Sequence, residues 1–432
     1  SLEISYANEC ANLQLLHKNR FHYLPIKSNQ PFNNILINSN HNKITIGSPI
    51  YRDKPLDESK PKLIVHIFID ALSKLLIDSH TSELMPATKS FFSDGINFEN
   101  SYSQADWTLS SMSGVFTGKY TKDHLIYHPR RVDKINDLTL AEVLNDEGYL
   151  TSLISAVPKI TPLNGFDRGF RRFVVAPFKD ANYIINEAAE QLDAFGGNQY
   201  MFLGLFDVHE SKNLQPISSQ VRNKLTDFHF KLVNTDKKLS ILYDKERIAM
   251  YANTLVNIDS KLEVLYKKIK DYDQNALVVL HSDHGVDFIT KNTQRLSNER
   301  EKVAFMIRGG NLKSRVDKSI SEIRKLPSLI LSASNIEEKI NYSNDGFAKT
   351  ESIYPNQEYE LAIRDEDHVL FFQVPWKSFN DRQISDYSFT ASLNDVKSEK
   401  RITNDIKFKV MLNIAKNHYV ELINNLIASE VD

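Results

Sequence analysis

The fold of this chain is constrained most strongly by an apolar segment that ends abruptly in polar residues. The segment Leu277–Leu280 is followed by His281-Ser282-Asp283-His284-Gly285. A continuous, partly β-branched apolar run that stops at a turn is typical of a buried parallel strand. Open α/β sheets bind ligands beyond the carboxyl ends of their strands, and a carboxylate beside an imidazole suits a divalent metal there. The alternative is a polar turn in which Asp283 only caps a neighbouring segment.

Two other apolar segments end in the same way. Leu63–Ile69 is followed by Asp70, and Tyr200–Phe206 is followed by Asp207-Val208-His209. Each carboxylate could simply start a turn, as Asp often does. A parallel sheet gathers the carboxyl ends of its strands at one edge, however, so we expect the acidic ends to meet there. If the second strand continues, alternation places Asp207 and His209 on the same side.

A hydroxyl group lies at the start of a predicted helix. Between Asp106 and Gly118, apolar and small residues recur at helical spacing, and Gly118 is a suitable stop. Thr108 stands where this helix begins. As an N-cap it would accept a hydrogen bond from a free backbone N–H, worth about 1 kcal/mol. As a nucleophile it would use the same helix end, whose N–H groups and dipole stabilise anions.

Composition and charge limit the classes of protein that fit. The 432 residues are 41% hydrophobic, and their formal net charge of -2 gives no sign of nucleic-acid binding. The single Cys10 excludes an internal disulfide framework and a Cys-based zinc cluster. No apolar run reaches the ~18 residues of a membrane helix. The missing signal peptide favours the cytoplasm, but a chain that starts at Ser1 is compatible with a trimmed signal and a cell-envelope location.

Changes in composition and hydrophobic pattern along the chain suggest three regions. Residues 1–60 are predicted as an N-terminal arm or small β extension, residues 61–345 as a catalytic α/β domain, and residues 346–432 as a hairpin-plus-helix subdomain. The expected fold class is α/β, with a large, mostly parallel sheet sandwiched by helices and a small C-terminal α+β appendage. The polar stretch Lys212–Leu242 is either a lid or a surface excursion.

Several elements follow from local patterns. The alternating runs Tyr359–Ile363 and His368–Val374 predict a hairpin, and Asn404–Ala428 predicts an amphipathic helix. A further helix is predicted over Ser319–Ser332, broken or bent at Pro327.

These segments, in this order, resemble the sulfatase-like branch of the alkaline phosphatase superfamily over roughly residues 60–375. The segments that carry the resemblance are Asp70 after the first strand, Tyr102–Gly118 with its ending Phe116-Thr117-Gly118-Lys119-Tyr120, Asp207-Val208-His209, Tyr251–Asp259, Ser282-Asp283-His284-Gly285 and Asn298–Val303.

The resemblance implies roles for the residues that match. Asp70, Asp283 and His284 would bind one divalent metal ion, with Mn²⁺ or Zn²⁺ favoured and Mg²⁺ or Ca²⁺ as alternatives. Thr108 falls where the family places its nucleophile and would contact the metal as well. His209 would contact the leaving group or a substrate oxygen.

Other polar residues receive weaker assignments. Asp207 would be a further ligand or a hydrogen-bond partner of His209. Arg300 and Lys291 are candidates for contacts with an anion, although each fits a solvated surface charge as well. His66 and His281 lie inside strands and are expected to belong to the core.

The chain departs from the family pattern at informative positions. Sulfatases proper carry a Cys or Ser that is oxidised to formylglycine, whereas this chain has Thr108 there, with Ser110 and Met112 in place of the Pro and Arg of the sulfatase signature. The paired Asp-Asp of many sulfatases is reduced to Asp70-Ala71, which argues for one main metal.

Relatives with a Thr nucleophile act on phosphorus esters, so the resemblance implies a metal-dependent phosphoester hydrolase or phosphoryl-group transferase with a covalent Thr108 intermediate. Its partners would be an anionic ester donor and a hydroxyl acceptor, either water or a glycan, so a cell-surface polysaccharide or lipid is a conceivable target by analogy. The alternatives are a sulfatase without formylglycine and a non-catalytic glycan-binding relative.

Overall fold

The computed structural model describes residues 2–6, 9–13, 35–39, 59–127, 133–209, 245–289, 294–342, 344–354 and 356–430. Their strands form three sheets. The first is a small antiparallel sheet near the N-terminus, made of β1 (Leu2–Tyr6), β2 (Glu9–Leu13) and β3 (Ile35–Ser39). The segment Lys212–Leu242 and Lys291 lie outside the described residues.

The main sheet has eight strands, in the order β11-β5-β10-β9-β4-β8-β6-β7. These strands are β4 (Leu63–Ile69), β5 (Ile96–Tyr102), β6 (Leu150–Ser155), β7 (Arg172–Val175), β8 (Gln199–Leu205), β9 (Leu277–His281), β10 (Phe305–Arg308) and β11 (Arg315–Glu322). Only β10 runs antiparallel to its neighbours, and the other pairs are parallel. The mostly parallel sheet expected from the sequence is confirmed.

The three strands that end in acidic residues are neighbours at the centre of this sheet. Strands β9, β4 and β8 are buried along their whole length, which explains their continuous apolar runs. Ile67 of β4 pairs in parallel register with Leu280 of β9. The carboxyl ends of the three strands therefore lie at one edge and are followed there by Asp70, Asp207 and Asp283.

Helices flank the main sheet in two groups. The helices of the described residues are α1 (Lys74–Leu84), α2 (Pro86–Phe91), α3 (Thr108–Thr117), α4 (Thr121–His124), α5 (Leu140–Asp146), α6 (Ala181–Ala194), α7 (Lys245–Tyr272), α8 (Asn298–Glu301), α9 (Leu326–Ala333), α10 (Trp376–Asn380) and α11 (Asp405–Ser429). Helix α7 contacts α1, α2 and α6, whereas α3 contacts α4, α5 and α9. In this part of the chain, no helix has the length and apolar composition needed to cross a membrane.

The prediction of one helix over Ser319–Ser332 is wrong. Residues Arg315–Glu322 form strand β11, which pairs in parallel with β5, and the helix begins only at Leu326. Pro327 lies in the first turn of that helix and does not bend it, because a proline there removes an N–H that has no helical acceptor anyway. Residues Arg315–Glu322 form a strand and not a helix because they pair with the edge of β5, which is distant in sequence.

The C-terminal region has its own sheet and core. The strands β12 (Ala348–Ser352), β13 (Tyr359–Arg364), β14 (His368–Val374) and β15 (Thr390–Asp395) form an antiparallel sheet. Helix α11 packs on it around a separate apolar cluster that includes Leu361, Phe372 and Tyr419. The predicted hairpin and C-terminal helix are confirmed, while the division of the chain into three units stays a prediction.

Strand β12 also contacts the segment that leads into α3. Glu351 N–H donates to the Gln104 carbonyl at 3.0 Å, and Asp106 N–H donates to the Glu351 carbonyl at 3.1 Å. The segment that leads into α3 is therefore hydrogen-bonded to the first strand of the C-terminal sheet. Thr108 follows that segment directly.

Candidate metal centre

The candidate site lies where β4 and β9 end side by side. Asp70 N–H donates to the Leu205 carbonyl at 3.0 Å, which ties the end of β4 to the end of β8. Ala71 N–H donates to Asp283 Oδ1 at 3.0 Å, which ties it to the segment after β9. The parallel register thus brings the carboxylates of Asp70 and Asp283 to the same place.

The turn after β4 is held in an unusual conformation. Ala71 has a left-handed backbone with φ 58°, and such a conformation persists only where surrounding contacts impose it. The Tyr251 hydroxyl, from α7, donates to the Ala71 carbonyl at 2.8 Å and accepts from Ser73 N–H at 2.7 Å. Leu72 N–H donates to Ser282 Oγ at 2.8 Å. These bonds fix the direction in which Asp70 points.

The His284 ring is oriented by a backbone contact. Its Nδ1 lies 2.7 Å from the Gly285 carbonyl, which can only accept, so Nδ1 carries the proton and Nε2 keeps a lone pair. Gly285 is required here because a Cβ atom would lie 2.5 Å from the Glu299 carbonyl oxygen. A carbonyl that accepts from the ring nitrogen not facing the metal typically orients a metal-binding histidine.

The ligand atoms face one another at the distances that a cation would bridge. His284 Nε2 lies 3.3 Å from Asp283 Oδ2 and 4.0 Å from Asp70 Oδ1, and one ligand atom from each residue lies within 4.8 Å of the others. Both carboxylates are fully buried, yet Asp70 Oδ1 and Asp283 Oδ2 have no hydrogen-bond partner. Because buried carboxylate oxygens without a partner are costly, this donor set fits a divalent cation.

The raised pKa of Asp70 is consistent with a cation site at these carboxylates. Burial raises the pKa of the Asp70 carboxyl well above its usual range, and the neighbouring Asp283 carboxylate raises it further. Two carboxylates at this spacing repel each other without a cation between them. A bound divalent ion would offset that repulsion and keep both groups ionised.

Thr108 completes the cluster. Its Oγ1 lies 3.4 Å from Asp70 Oδ2 and 3.4 Å from His284 Nε2. The interpretation as an N-cap is wrong, because Trp107 is the N-cap and Thr108 is the first helical residue. Ser111, one turn further along α3, donates from Oγ to the Asp283 carbonyl at 3.1 Å and so fixes the helix against β9.

The strand before Asp207 and His209 ends too early for its alternation to place their side chains. Strand β8 ends at Leu205, and a turn closed by His209 N–H and the Phe206 carbonyl (3.2 Å) follows, so the alternation along a continuing strand does not apply. Asp207 Oδ1 accepts from Ala181 N–H at 3.0 Å, at the start of α6. Burial raises the Asp207 pKa to about 6, and its buried Oδ2 has no hydrogen-bond partner.

His209 is exposed and stacks on the Phe206 ring, with the centroids 4.6 Å apart. Among the described residues, the group of acidic, histidine and cysteine side chains able to share a metal comprises Asp70, Asp283 and His284. The structure therefore brings four predicted residues together, including Thr108, and leaves Asp207 and His209 outside that group.

The remaining candidates are a surface cation and two core histidines. Arg300 Nη2 lies 3.6 Å from Asp287 Oδ2, and its Nη1 donates to the Arg295 carbonyl at 3.3 Å. His66 and His281 are buried inside the sheet, as expected, with their Nε2 atoms 2.7 Å apart. Burial lowers the pKa of His281 to about 4, so this imidazole stays neutral.

A polar wall beside Thr108 escaped the sequence analysis. Ser352 Oγ donates to Asp106 Oδ2 at 2.6 Å and accepts from Arg295 Nη1 at 3.1 Å. Burial raises the pKa of Asp106, and its Oδ1 is buried without a hydrogen-bond partner. The nearness of Asp106 to Thr108 in sequence was the only signal, since Arg295 and Ser352 arrive from distant segments.

The fold defines a class of protein: a large, mostly parallel sheet flanked by helices, of the kind found in structures of the alkaline phosphatase superfamily. More specifically, the model of the Sulfatase family matches residues 62–336, and the chain belongs to this family. No curated protein matches the chain in sequence.

Solved structures share the fold at low sequence identity. The yidJ protein of Bacteroides fragilis, described as a sulfatase, has a TM-score of 0.67 and 15% identity, with 86% of this chain and 98% of that chain covered. A protein solved with its substrate D-glucosamine-2-N,6-O-disulfate has a TM-score of 0.59 and 12% identity, covering 83% and 98%. An alkaline phosphatase superfamily protein of Vibrio parahaemolyticus has a TM-score of 0.58 and 15% identity, covering 86% and 88%.

Proposed function

We propose that this protein is a metal-dependent phosphoester hydrolase or phosphoryl-group transferase in which Thr108 is the nucleophile. The observation that carries the proposal is the position of the Thr108 hydroxyl, 3.4 Å from both Asp70 and His284. A threonine cannot be converted to formylglycine, because its Cβ bears a methyl group and its oxidation gives a ketone. The nucleophile must therefore act as a hydroxyl, which suits attack on phosphorus.

Asp70, Asp283 and His284 would hold the cation. When bound, a divalent metal lowers the pKa of a neighbouring hydroxyl and neutralises charge on the ester. The ligand set of two carboxylates and one imidazole is compatible with Mn²⁺ and Zn²⁺, and does not exclude Mg²⁺ or Ca²⁺.

The chain's own groups then account for each step. The proton of the Thr108 hydroxyl passes to water, and Oγ forms a bond to phosphorus while the bond to the leaving ester oxygen breaks. The first N–H groups of α3 have no acceptor within the helix, so they can bind the non-bridging oxygens of the anion. Water or an acceptor hydroxyl next attacks the phosphothreonine and restores Thr108. His209 is proposed to protonate the leaving group, and Arg300 and Lys291 are further candidates for anion contacts. Asp207 is not proposed as a metal ligand, because it lies outside the group formed by Asp70, Asp283 and His284.

Sulfate-ester hydrolysis is the second candidate. It is supported by membership of the Sulfatase family and by the fold shared with a protein whose substrate is a sulfated glucosamine. On this alternative, Thr108 would attack sulfur without prior oxidation, and the substrate would be a sulfated glycan. A non-catalytic glycan-binding relative is a third alternative, for which the Thr108 hydroxyl should be dispensable.

Parallel assays with an aryl phosphodiester and an aryl sulfate distinguish these candidates. We expect faster cleavage of the phosphodiester, and Thr108→Ala should lower turnover about 10³-fold or more. Ser113→Ala is the matched control, because among the described residues the Ser113 hydroxyl bonds within α3, to the Leu109 carbonyl. Faster sulfate cleavage would overturn the phosphoester preference, and unchanged activity of Thr108→Ala would overturn its role as nucleophile. Mass spectrometry of the intact protein after brief exposure to donor should show the added group on Thr108.

A further inference from the structure

A short segment before β10 holds the residue that orients His284. This segment, residues 296–301, contains helix α8 and is here named the α8 segment. Gly285 N–H donates to the Arg300 carbonyl at 2.5 Å, and a Cβ atom on Gly285 would lie 2.5 Å from the Glu299 carbonyl oxygen. Because the Gly285 carbonyl accepts from His284 Nδ1 at 2.7 Å, the position of the imidazole follows the position of the α8 segment.

The α8 segment is attached to the C-terminal region by packing and by hydrogen bonds. The buried Leu296 side chain packs on β13 and β14, in a cluster with Ala362, Val369 and Phe371. Asn298 N–H donates to Glu399 Oε1 at 2.7 Å, and Asn298 Nδ2 donates to the Val396 carbonyl. Both of these acceptors follow strand β15. The segment that holds Gly285 is thus held in turn by the second, C-terminal core.

Arg364 of β13 makes a charged link to the same segment. Its Nε donates to Asn298 Oδ1 at 3.2 Å, and its Nη2 donates to the Leu296 carbonyl. The Arg364 side chain is fully buried, and burial of a guanidinium is costly unless its N–H groups are bonded. Both hydrogen bonds described for this side chain reach the α8 segment and not the sheet that carries it. The buried charge therefore serves to hold that segment in place.

We propose that Arg364 is a positioning residue of the metal centre, which acts through the α8 segment and Gly285 on the His284 imidazole. This inference rests on the proposed function, since it requires a cation at Asp70, Asp283 and His284. Arg364 itself does not belong to the group of ligands. It keeps His284 Nε2 directed at the two carboxylates, so the C-terminal sheet becomes a working part of the metal centre.

Metal affinity measured on matched variants tests the inference. Arg364→Met removes the donors and keeps a long side chain. Zn²⁺ binding, measured by titration calorimetry, should weaken about tenfold, the lower end of the range for a residue outside the ligand shell. Arg172→Met is the control, because Arg172 is also buried but bonds to Glu187 at 2.6 Å and Gln191 at 2.9 Å, both in α6. The control should lose stability in urea and keep its Zn²⁺ affinity.

Two further measurements separate positioning from a general loss of structure. The visible absorption of bound Co²⁺ depends on ligand geometry, and it should change in Arg364→Met but not in Arg172→Met. In the metal-free protein, the Gly285 amide should exchange with deuterium faster in Arg364→Met than in Arg172→Met, because its bond to the Arg300 carbonyl is less well held. Arg364→Lys keeps a charged donor and should recover part of the affinity. Unchanged Zn²⁺ affinity in Arg364→Met, or equal changes in both methionine variants, would overturn the proposal.

Asn298→Ala carries the test if Arg364→Met does not fold. It removes the acceptor of Arg364 Nε and the bond to the Val396 carbonyl, but it keeps the backbone bond to Glu399. Because Arg364 still reaches the Leu296 carbonyl, Zn²⁺ binding should weaken by a smaller factor, about threefold. Unchanged Zn²⁺ affinity in this variant would overturn the proposal in the same way.

The positioning role and the proposed function can fail separately. Zn²⁺ binding that depends on Arg364, in a protein that cleaves neither the aryl phosphodiester nor the aryl sulfate, would support the positioning role and remove the proposed chemistry. Cleavage that depends on Thr108, with equal Zn²⁺ affinity in Arg364→Met and the original protein, would support the chemistry and remove the positioning role. Absence of metal binding by the original protein would overturn both.

Discussion

The ends of β9 and β8 start from almost the same sequence pattern and reach different structures. Both strands are buried apolar runs followed by an aspartate and a histidine. After β9, Asp283 and His284 face Asp70 within ligand distance. After β8, Asp207 binds the start of α6 and His209 stacks on an aromatic ring.

The difference arises from what lies beside each strand end. The Asp283 carboxylate meets the strained turn at Ala71, whose N–H it accepts, and the next residue, His284, is turned by the Gly285 carbonyl. Asp207 has the free N–H of Ala181 as its neighbour instead. An acidic strand end is therefore only a candidate ligand, and the adjacent loop decides whether it becomes one.

Exchanging the two aspartates for asparagine gives the largest expected contrast. Asp283→Asn should lower metal affinity and turnover by at least about 10²-fold, because removal of even an outer partner costs 10- to 100-fold. Asp207→Asn should keep metal affinity within a few-fold, since Asp207 lies outside the cluster of ligands. Titration calorimetry with Mn²⁺ or Zn²⁺ measures both variants, and equal losses would contradict the distinction between the strand ends.

Metal binding should also raise the free energy of unfolding, and this gain should depend on Asp283 after β9 but not on Asp207 after β8. At a metal concentration 100 times the dissociation constant, the free energy of unfolding should rise by about 2.7 kcal/mol. Asp207→Asn should retain this gain and Asp283→Asn should lose it, as measured by urea unfolding with and without metal. Chelator treatment of the original protein should reverse the gain, and a chelator-insensitive curve would count against a cation at Asp70 and Asp283.

Tyr251→Phe tests the support of the turn rather than the ligands. It removes the hydroxyl that bonds both the Ala71 carbonyl and Ser73 N–H. Because a buried N–H and carbonyl lose their partner, stability should fall by about 2 kcal/mol, and metal affinity by about tenfold. Tyr266→Phe, on the same helix but bonded to Thr88, is the control that should lower stability without changing metal affinity.

The smallest expected effect concerns the pH dependence at Asp207. Burial raises its pKa to about 6 in the fold, above the ordinary value of about 3.9 in the unfolded chain. The folded protein therefore binds the extra proton, and its stability falls as the pH rises from about 4 through 6. Asp207→Asn keeps an acceptor for Ala181 N–H but cannot ionise, so it should be more stable than the original at pH 7.5 and equal to it at pH 4. The reverse order at pH 7.5 would mean that the ionised carboxylate is stabilised by a partner.

Much of the site could be predicted because its signals are local. Asp70, Asp283 and His284 each end an apolar run, and Thr108 starts a helix, so the gathering of parallel strand ends was enough to bring them together. The rest depends on contacts between distant segments. The strand at Arg315–Glu322 exists because β5 offers it an edge.

The errors and omissions at the site have the same origin. The alternation that would align Asp207 with His209 required β8 to continue, but the strand ends at Leu205 and a turn follows. The wall of Asp106, Ser352 and Arg295 is assembled from three segments that share no pattern, so no sequence period could reveal it.

The pairing of β12 with the segment before α3 affects the order in which parts of the protein unfold. Asp106 N–H donates to the Glu351 carbonyl, and Glu351 N–H donates to the Gln104 carbonyl, across two regions with separate cores. If the C-terminal sheet opens transiently, β12 separates from the segment that leads to Thr108, and that segment loses its hydrogen bonds to Glu351. The amide protons of Asp106 and Glu351 should then exchange with deuterium at a common rate, faster than those in the centre of β4. Heating would in that case disorder the segment that leads to Thr108 before the main sheet unfolds.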